Sequence, residues 1–284
     1  MRGSSNRLGG GAIRLWLIAA ALSLNLFVPS SPAQIITLHD QNSSASVNLS
    51  SGAGNSGGMT NWVVDGQNEL AQQWFWYRVG SSGPEHPISA IGSPLISTPN
   101  ARTLYTTYNN GSYGVTINYL LTGSSPGSGK SDISESISIT NGTASPLQFH
   151  FYQYSDFDLG GAGGDTVQLG RNLRGLFNEA DQTDGSVLLT ETVVTPGANH
   201  GEAAFYNATL VKLSDANTDT LNDNAGPVGP GNVTWALQWD FTIAPGSSVG
   251  ISKDKYLQVP IPEPSVLGLA AIGLLTWTLR RRVR

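Results

Sequence analysis

Asp215, Asn217, Asp219 and Asp223 carry oxygen side chains at positions 1, 3, 5 and 9 of one run, with the main-chain carbonyl of Leu221 at position 7. That is much of the ligand spacing of a calcium loop. Thr220 stands where such a loop turns on glycine, and Gly226 where it needs a bidentate glutamate. The run therefore reads first as a solvated polar loop, with a weak calcium site (Ca2+) as the alternative. Asp156, Asp158 and Asp165, around the glycines at 160, 161, 163 and 164, form a second acidic loop with less informative spacing. Trp74 and Trp76 alternate with Phe75 and Tyr77 in one short run, so both faces of that strand are apolar. Filling the space between two sheets is the expected role of these indoles; stacking against sugar rings is the alternative.

Other candidates have less context. The four histidines, His39, His86, His150 and His200, show no metal-ligand spacing. His150 is expected to be solvated or hydrogen-bonded on the polar face of its strand. Glu135 shares parity with Ile133, Ile137 and Ile139, so burial would make it an acid, although an exposed strand edge is the expected setting. Two Gly-x-Ser-x-Gly strings begin at Gly123 and Gly246, but neither stands between a strand and a helix as a nucleophile elbow requires. Gly52, Gly54 and Gly57 match a phosphate-loop pattern that no helix follows.

The elements that must position these groups are strands. The chain has 284 residues, with 34 glycines, 15 prolines and no cysteine, which excludes disulfides, thiol nucleophiles and Cys-ligated metals. Period-two alternation recurs between Gly, Asn, Ser and Pro clusters. Val115, Ile117, Tyr119 and Leu121 share a face, and Asn109-Asn110-Gly111 joins that strand to residues 104–108 as a hairpin. Phe149 and Phe151 face away from His150 and Tyr152, while Trp235, Leu237 and Trp239 face away from Gln238 and Asp240. Further strands are expected over residues 70–79, 186–194, 203–213 and 249–259, and the best helical stretch is 170–181. Half-buried strands without a long amphipathic helix must cover one another, which predicts an all-β antiparallel β-sandwich, with a barrel as the alternative.

The two ends read as addresses. Arg2, Arg7 and Arg14 precede an apolar run over 15–28 and small residues to Ala33, giving a secretory signal over residues 1–33 for signal peptidase. At the other end, Pro262-Glu263-Pro264 precedes an uncharged helix over 265–279 and then Arg280, Arg281 and Arg282. Fifteen helical residues span about 22 Å, less than a bilayer core, so the insertion is expected to be transient in the inner membrane. The arginines fix the cytoplasmic side. This order over residues 262–284 resembles the PEP-CTERM sorting signal. The resemblance implies processing by an exosortase-like enzyme, export to the periplasm, cell surface or extracellular matrix, and association with exopolysaccharide.

Between the addresses, residues 34–261 hold 8 basic against 19 acidic residues, a charge of −11. Such a body should repel nucleic acid and other polyanions. The expected product is a non-catalytic exported matrix protein with a polysaccharide partner. A carbohydrate-binding module and a polysaccharide-active hydrolase are the alternatives.

Overall fold

The computed structural model describes residues 34–50, 56–161 and 163–260. The secretory signal at 1–33, most of the glycine pattern at 52–57, the Pro262-Glu263-Pro264 motif, the helix at 265–279 and the arginines at 280–282 lie outside the described residues. Two antiparallel sheets face each other. The first runs in the order β1 (Ile35–Asp40), β2 (Ser43–Asn48), β3 (Gly58–Val64), β5 (Leu70–Val79), β11 (Leu147–Phe157), β17 (Val233–Ile243) and β15 (His200–Phe205). The short strands β4 (Gln67–Asn68) and β6 (His86–Pro87) pair with β3 and β5. The second sheet runs β16 (Val228–Gly231), β12 (Asp165–Arg171), β13 (Phe177–Asp184), β14 (Val187–Thr195), β18 (Ser248–Gln258), β10 (Lys130–Asn141), β9 (Tyr113–Gly123), β8 (Thr103–Asn109) and β7 (Leu95–Asn100). Two separate sheets make the molecule the expected sandwich.

Alternation decides which side chains meet in the middle. Phe75 stacks on Phe151, and Tyr77 on Phe149, from neighbouring strands of the first sheet. Across the gap, Trp62 Nε1 donates to Ser131 and Gln153 Nε2 to Glu191, so polar links cross an otherwise apolar core. The hairpin read at Asn109-Asn110-Gly111 forms between β8 and β9. There Asn109 Oδ1 accepts from the Gly111 amide, and Gly111 has φ +87°, a conformation costly to a residue with a Cβ.

Two expectations fail locally. Residues 170–181 are not helical but form the β12–β13 hairpin. Asn172 Oδ1 accepts the amides of Arg174 and Leu176, and Gly175 takes φ +79°, so side-chain capture closes a turn where periodicity suggested a helix. The strand expected over 203–213 ends at Phe205. Asn207 adopts a left-handed φ of 71°, and α1 (Ala208–Ser214) follows, burying Thr209 and Leu213.

Candidate functional site

Register, not sequence proximity, assembles a polar groove. Arg78 on β5 pairs with His150 on β11, and His150 with Asp240 on β17, so three functional side chains form one row across the outer face of the first sheet. In the adjoining row Tyr152 pairs with Gln238, and Gln238 with His200 on β15. His150 Nδ1 lies 2.6 Å from Asp240 Oδ1, which also accepts from Gln238 Nε2 at 2.8 Å, and the Asp240 amide donates to Asn199 Oδ1. His200 Nε2 approaches Asp240 Oδ2 at 3.5 Å while its Nδ1 lies 3.1 Å from Asp223 Oδ1. Burial alone would raise the Asp240 pKa, but the His150 and Gln238 hydrogen bonds hold it below the usual carboxylate range.

Loops build the walls. Arg78 Nε donates to Glu85 at 2.8 Å, and Arg78 and Tyr152 both donate to the Asp219 carbonyl. Thr218 Oγ1 accepts the Gly83 amide and donates to the Gly83 carbonyl, clasping the two loops together. The result is a groove of about 360 Å³ lined by Arg78, Gln148, His150, Thr218, Asp240 and Phe241, among others. Hydroxyl, amide, imidazole and carboxylate groups beside an aromatic ring can exchange hydrogen bonds with a polyhydroxylated ligand.

The candidate calcium residues are not brought together among the described residues. Asp215 accepts from the backbone and side-chain amides of Asn217, closing a local turn. Asp219 is engaged through its main chain with Glu85, Arg78 and Tyr152, and Asp223 pairs with His200 and lies 3.8 Å from Arg171. Among the described residues no three His, Asp or Glu side chains are grouped to hold a metal. Local spacing fails as a guide here because the run lies along the groove wall, where the chain spends its polar atoms on the sheet beneath it. Trp74 and Trp76 are fully buried. Their rings offer no face to a sugar, and a Cβ at Gly57 would stand only 2.9 Å from the Trp74 indole. The first Gly-x-Ser-x-Gly string runs from the last residue of β9 into the β9–β10 connection, and the second from the β17–β18 turn into β18; Gly127 and Gly246 have φ of +77° and +64°.

Glu135 is not at an exposed edge. It is fully buried with Glu191, Lys253 and Lys255 on the inner face of the second sheet, where Glu135 pairs with Lys253 and Glu191 with Lys255 by register. Lys253 Nζ contacts Glu135 Oε2, and Lys255 Nζ lies 2.6 Å from Glu135 Oε1. Burial by itself would raise the Glu135 pKa, but the two lysines hold it down, so Glu135 is an ion partner and not the raised-pKa acid its burial alone implies. The sequence did carry a signal for this cluster: Lys253 and Lys255 share parity with Ile251 and Leu257, which are buried.

The second acidic loop lies at the end of the sandwich with Glu69 and Asp184. Glu69 accepts the Gly160 amide at 2.7 Å, and a Cβ on Gly164 would meet Asp184 Oδ1 at 2.5 Å. Burial pushes Asp156 up to about 7, helped by Asp158, and Asp165 up to about 7, helped by Asp184. Asp132 is likewise raised to about 7 by burial and by neighbouring Asp254. Each binds its proton more tightly in the folded than in the unfolded chain. The stability this contributes is complete below the ordinary value of 3.8 and is lost as pH rises towards about 7. The thermal midpoint should therefore fall between about pH 5 and about pH 8. Differential scanning calorimetry checks this, and Asp165→Asn should flatten the profile. A midpoint that climbs steadily over that interval contradicts the assignment.

Comparisons with known proteins agree with this picture at two levels. Residues 260–282 match the PEP-CTERM protein-sorting motif, which implies an exported protein, anchored by a C-terminal membrane segment before processing by an exosortase-type enzyme. The fold is similar to that of a putative aldose 1-epimerase from Escherichia coli (TM-score 0.54, 12% identity, 80% of this chain and 99% of the other). It is also similar to a bacterial glucoamylase solved with acarbose (TM-score 0.52, 10% identity, 86% of this chain and 36% of the other). A structural-genomics target from Synechocystis gives a TM-score of 0.51 at 10% identity, covering 83% of this chain and 99% of the other. No curated protein matches the sequence.

Proposed function

We propose that this exported chain binds a neutral or weakly charged saccharide of the cell envelope or extracellular matrix in the groove over His150 and Asp240, without chemically altering it. The observation that carries the reading is the Arg78–His150–Asp240 row at the base of an open groove with threonine, glutamine and phenylalanine at its sides. The likeness of the fold to a putative aldose 1-epimerase and to a glucoamylase that holds acarbose supports a sugar as the ligand. The body's charge of −11 disfavours a polyanionic one.

Placement supports the same reading. Gln67, just before β5, donates to the carbonyl of Pro260, where the chain leaves the described body. Arg78 lies near the far end of β5, eight residues beyond Leu70, which at about 3.3 Å per residue puts the groove roughly 25 Å from that exit. A tail held in the inner membrane would leave the groove open to the exported side.

Affinity electrophoresis against exopolysaccharide of the producing cells, and calorimetric titration with neutral oligosaccharides, test the proposal. Asp240→Asn and His150→Ala should each weaken binding by roughly tenfold or more, since each removes charge-assisted hydrogen bonds. Unchanged affinity in both would refute it. Intact-mass measurement of protein recovered outside the cells should show a C-terminus upstream of Arg280; recovery through Arg284 would refute processing.

A second reading is acid–base exchange at an anomeric carbon, suggested by the His150–Asp240 pair, since a carboxylate-oriented imidazole is a general acid or base. It is less well supported because such exchange needs two proton-transfer groups, and Asp240 is already engaged by His150 and Gln238. NMR exchange between aldose anomers, faster with the protein than with His150→Ala, would establish it.

A further inference from the structure

The most unusual chemistry in the molecule lies away from the groove, in the buried gap between the sheets. Glu135, Glu191, Lys253 and Lys255 are all fully buried there. Lys253 Nζ contacts Glu135 Oε2, lies 3.7 Å from Glu191 Oε1, and stands 5.1 Å over the centre of the Phe75 ring. Lys255 Nζ lies 2.6 Å from Glu135 Oε1 and 3.5 Å from Glu191 Oε2. Gln153 holds Glu191 through a 2.8 Å hydrogen bond, and Gln73 reaches Glu135 Oε2 at 3.5 Å. An amine, a carboxyl group, a second carboxylate and a fixed cation are the four parts that an amide condensation needs.

We propose that Lys253 and Glu135 form an intramolecular isopeptide bond that joins β18 to β10. The parts divide the work. Burial lowers the Lys253 pKa despite its carboxylate neighbours, so this amine gives up a proton more readily than an exposed lysine does. Glu191 relays that proton to Glu135, and the neutral Nζ attacks the carbon of the now neutral Glu135 carboxyl group. Lys255, whose pKa its carboxylate partners raise against the effect of burial, stays charged beside Oε1 and stabilises the negative charge that develops there. One Glu135 oxygen then leaves as water. Of the three ammonium protons on Lys253, two depart with that oxygen and one remains on the amide nitrogen, so no oxidant or activating reagent is required.

Charge favours the product. Before condensation the gap holds two cations and two anions; afterwards Lys255 and Glu191 remain as one matched pair, so one buried ion pair is removed without leaving an unpaired charge. Burial also draws the condensation forward, because the expelled water has better partners outside.

Peptide mapping of the purified full chain tests the proposal. Trypsin cuts after Lys130, Arg171, Lys212, Lys253 and Lys255, and an amidated Lys253 resists cleavage. The expected product is a branched peptide joining residues 131–171 to residues 213–255, lighter by one water than the sum of the two. A linear peptide ending at Lys253 with a free ε-amine would overturn the proposal. The Glu191→Gln variant, with its fold checked by near-ultraviolet circular dichroism, should give the linear peptide. A branched peptide from that variant would remove Glu191 from its relay role.

Discussion

Replacing Lys255 with methionine should destabilise the body by about 3–5 kcal/mol, because it strands buried negative charge between the sheets. Lys255 Nζ lies 2.6 Å from Glu135 and 3.5 Å from Glu191, and no solvent reaches any of the three side chains. Methionine keeps most of the stem's volume and flexibility, so the effect isolates the charge. Two carboxylates would then share Lys253 alone. One must take up a proton or remain poorly compensated in a medium that solvates ions badly. The companion variant Lys255→Met/Glu191→Gln restores neutrality while leaving an amide oxygen to accept from Gln153, and should recover most of the loss. Urea denaturation followed by tryptophan fluorescence measures both. A single variant within about 1 kcal/mol of the parent would mean that water or rearrangement solvates the cluster.

Trp76→Ala should destabilise the body by about 3–5 kcal/mol and leave a cavity that its neighbours cannot close. Trp76 is fully buried, and its ring meets Tyr154 edge-on with centroids 6.0 Å apart. Its indole nitrogen has no hydrogen-bond partner among the described residues, so truncation orphans no acceptor there and the loss is one of packing. Trp74→Ala should behave in the same way, because Gly57 and Gly58 press directly on that ring. At roughly 2–4 °C per kcal/mol for a domain of this size, thermal midpoints should fall by about 10 °C. If sugar stacking were the role of these indoles, the variants would lose affinity and keep their melting temperature. Calorimetric melting beside carbohydrate titration separates the two outcomes.

Much of the fold was legible because strand parity is a local property. The faces of Val115, Ile117 and Tyr119, and of Trp235, Leu237 and Trp239, follow from alternation alone, and all six side chains are buried. The Asn109-Asn110-Gly111 turn was legible for a similar reason, since the asparagine side chains bond their own turn. At 170–181 and 203–213 local pattern misled. One asparagine side chain captured a turn, and another residue's left-handed backbone ended a strand. Glu135 shows the limit most clearly. Its parity with three isoleucines pointed inward, but the expectation of an exposed edge could not hold once β18 placed two lysines opposite it.

What the sequence determined by itself was the C-terminal sorting motif, the acidic charge of residues 34–261 and the all-β sandwich, because each depends on composition, order or period along the chain. What only the tertiary structure decided was which distant residues meet. Asp240 lies 90 residues from His150 and Lys253 lies 118 from Glu135, and pairing register brings both sets together. A period of two tells which face a side chain occupies but not which strand will lie beside it. Strand order is fixed by the packing of whole sheets. The groove and the buried charge cluster are therefore consequences of that order.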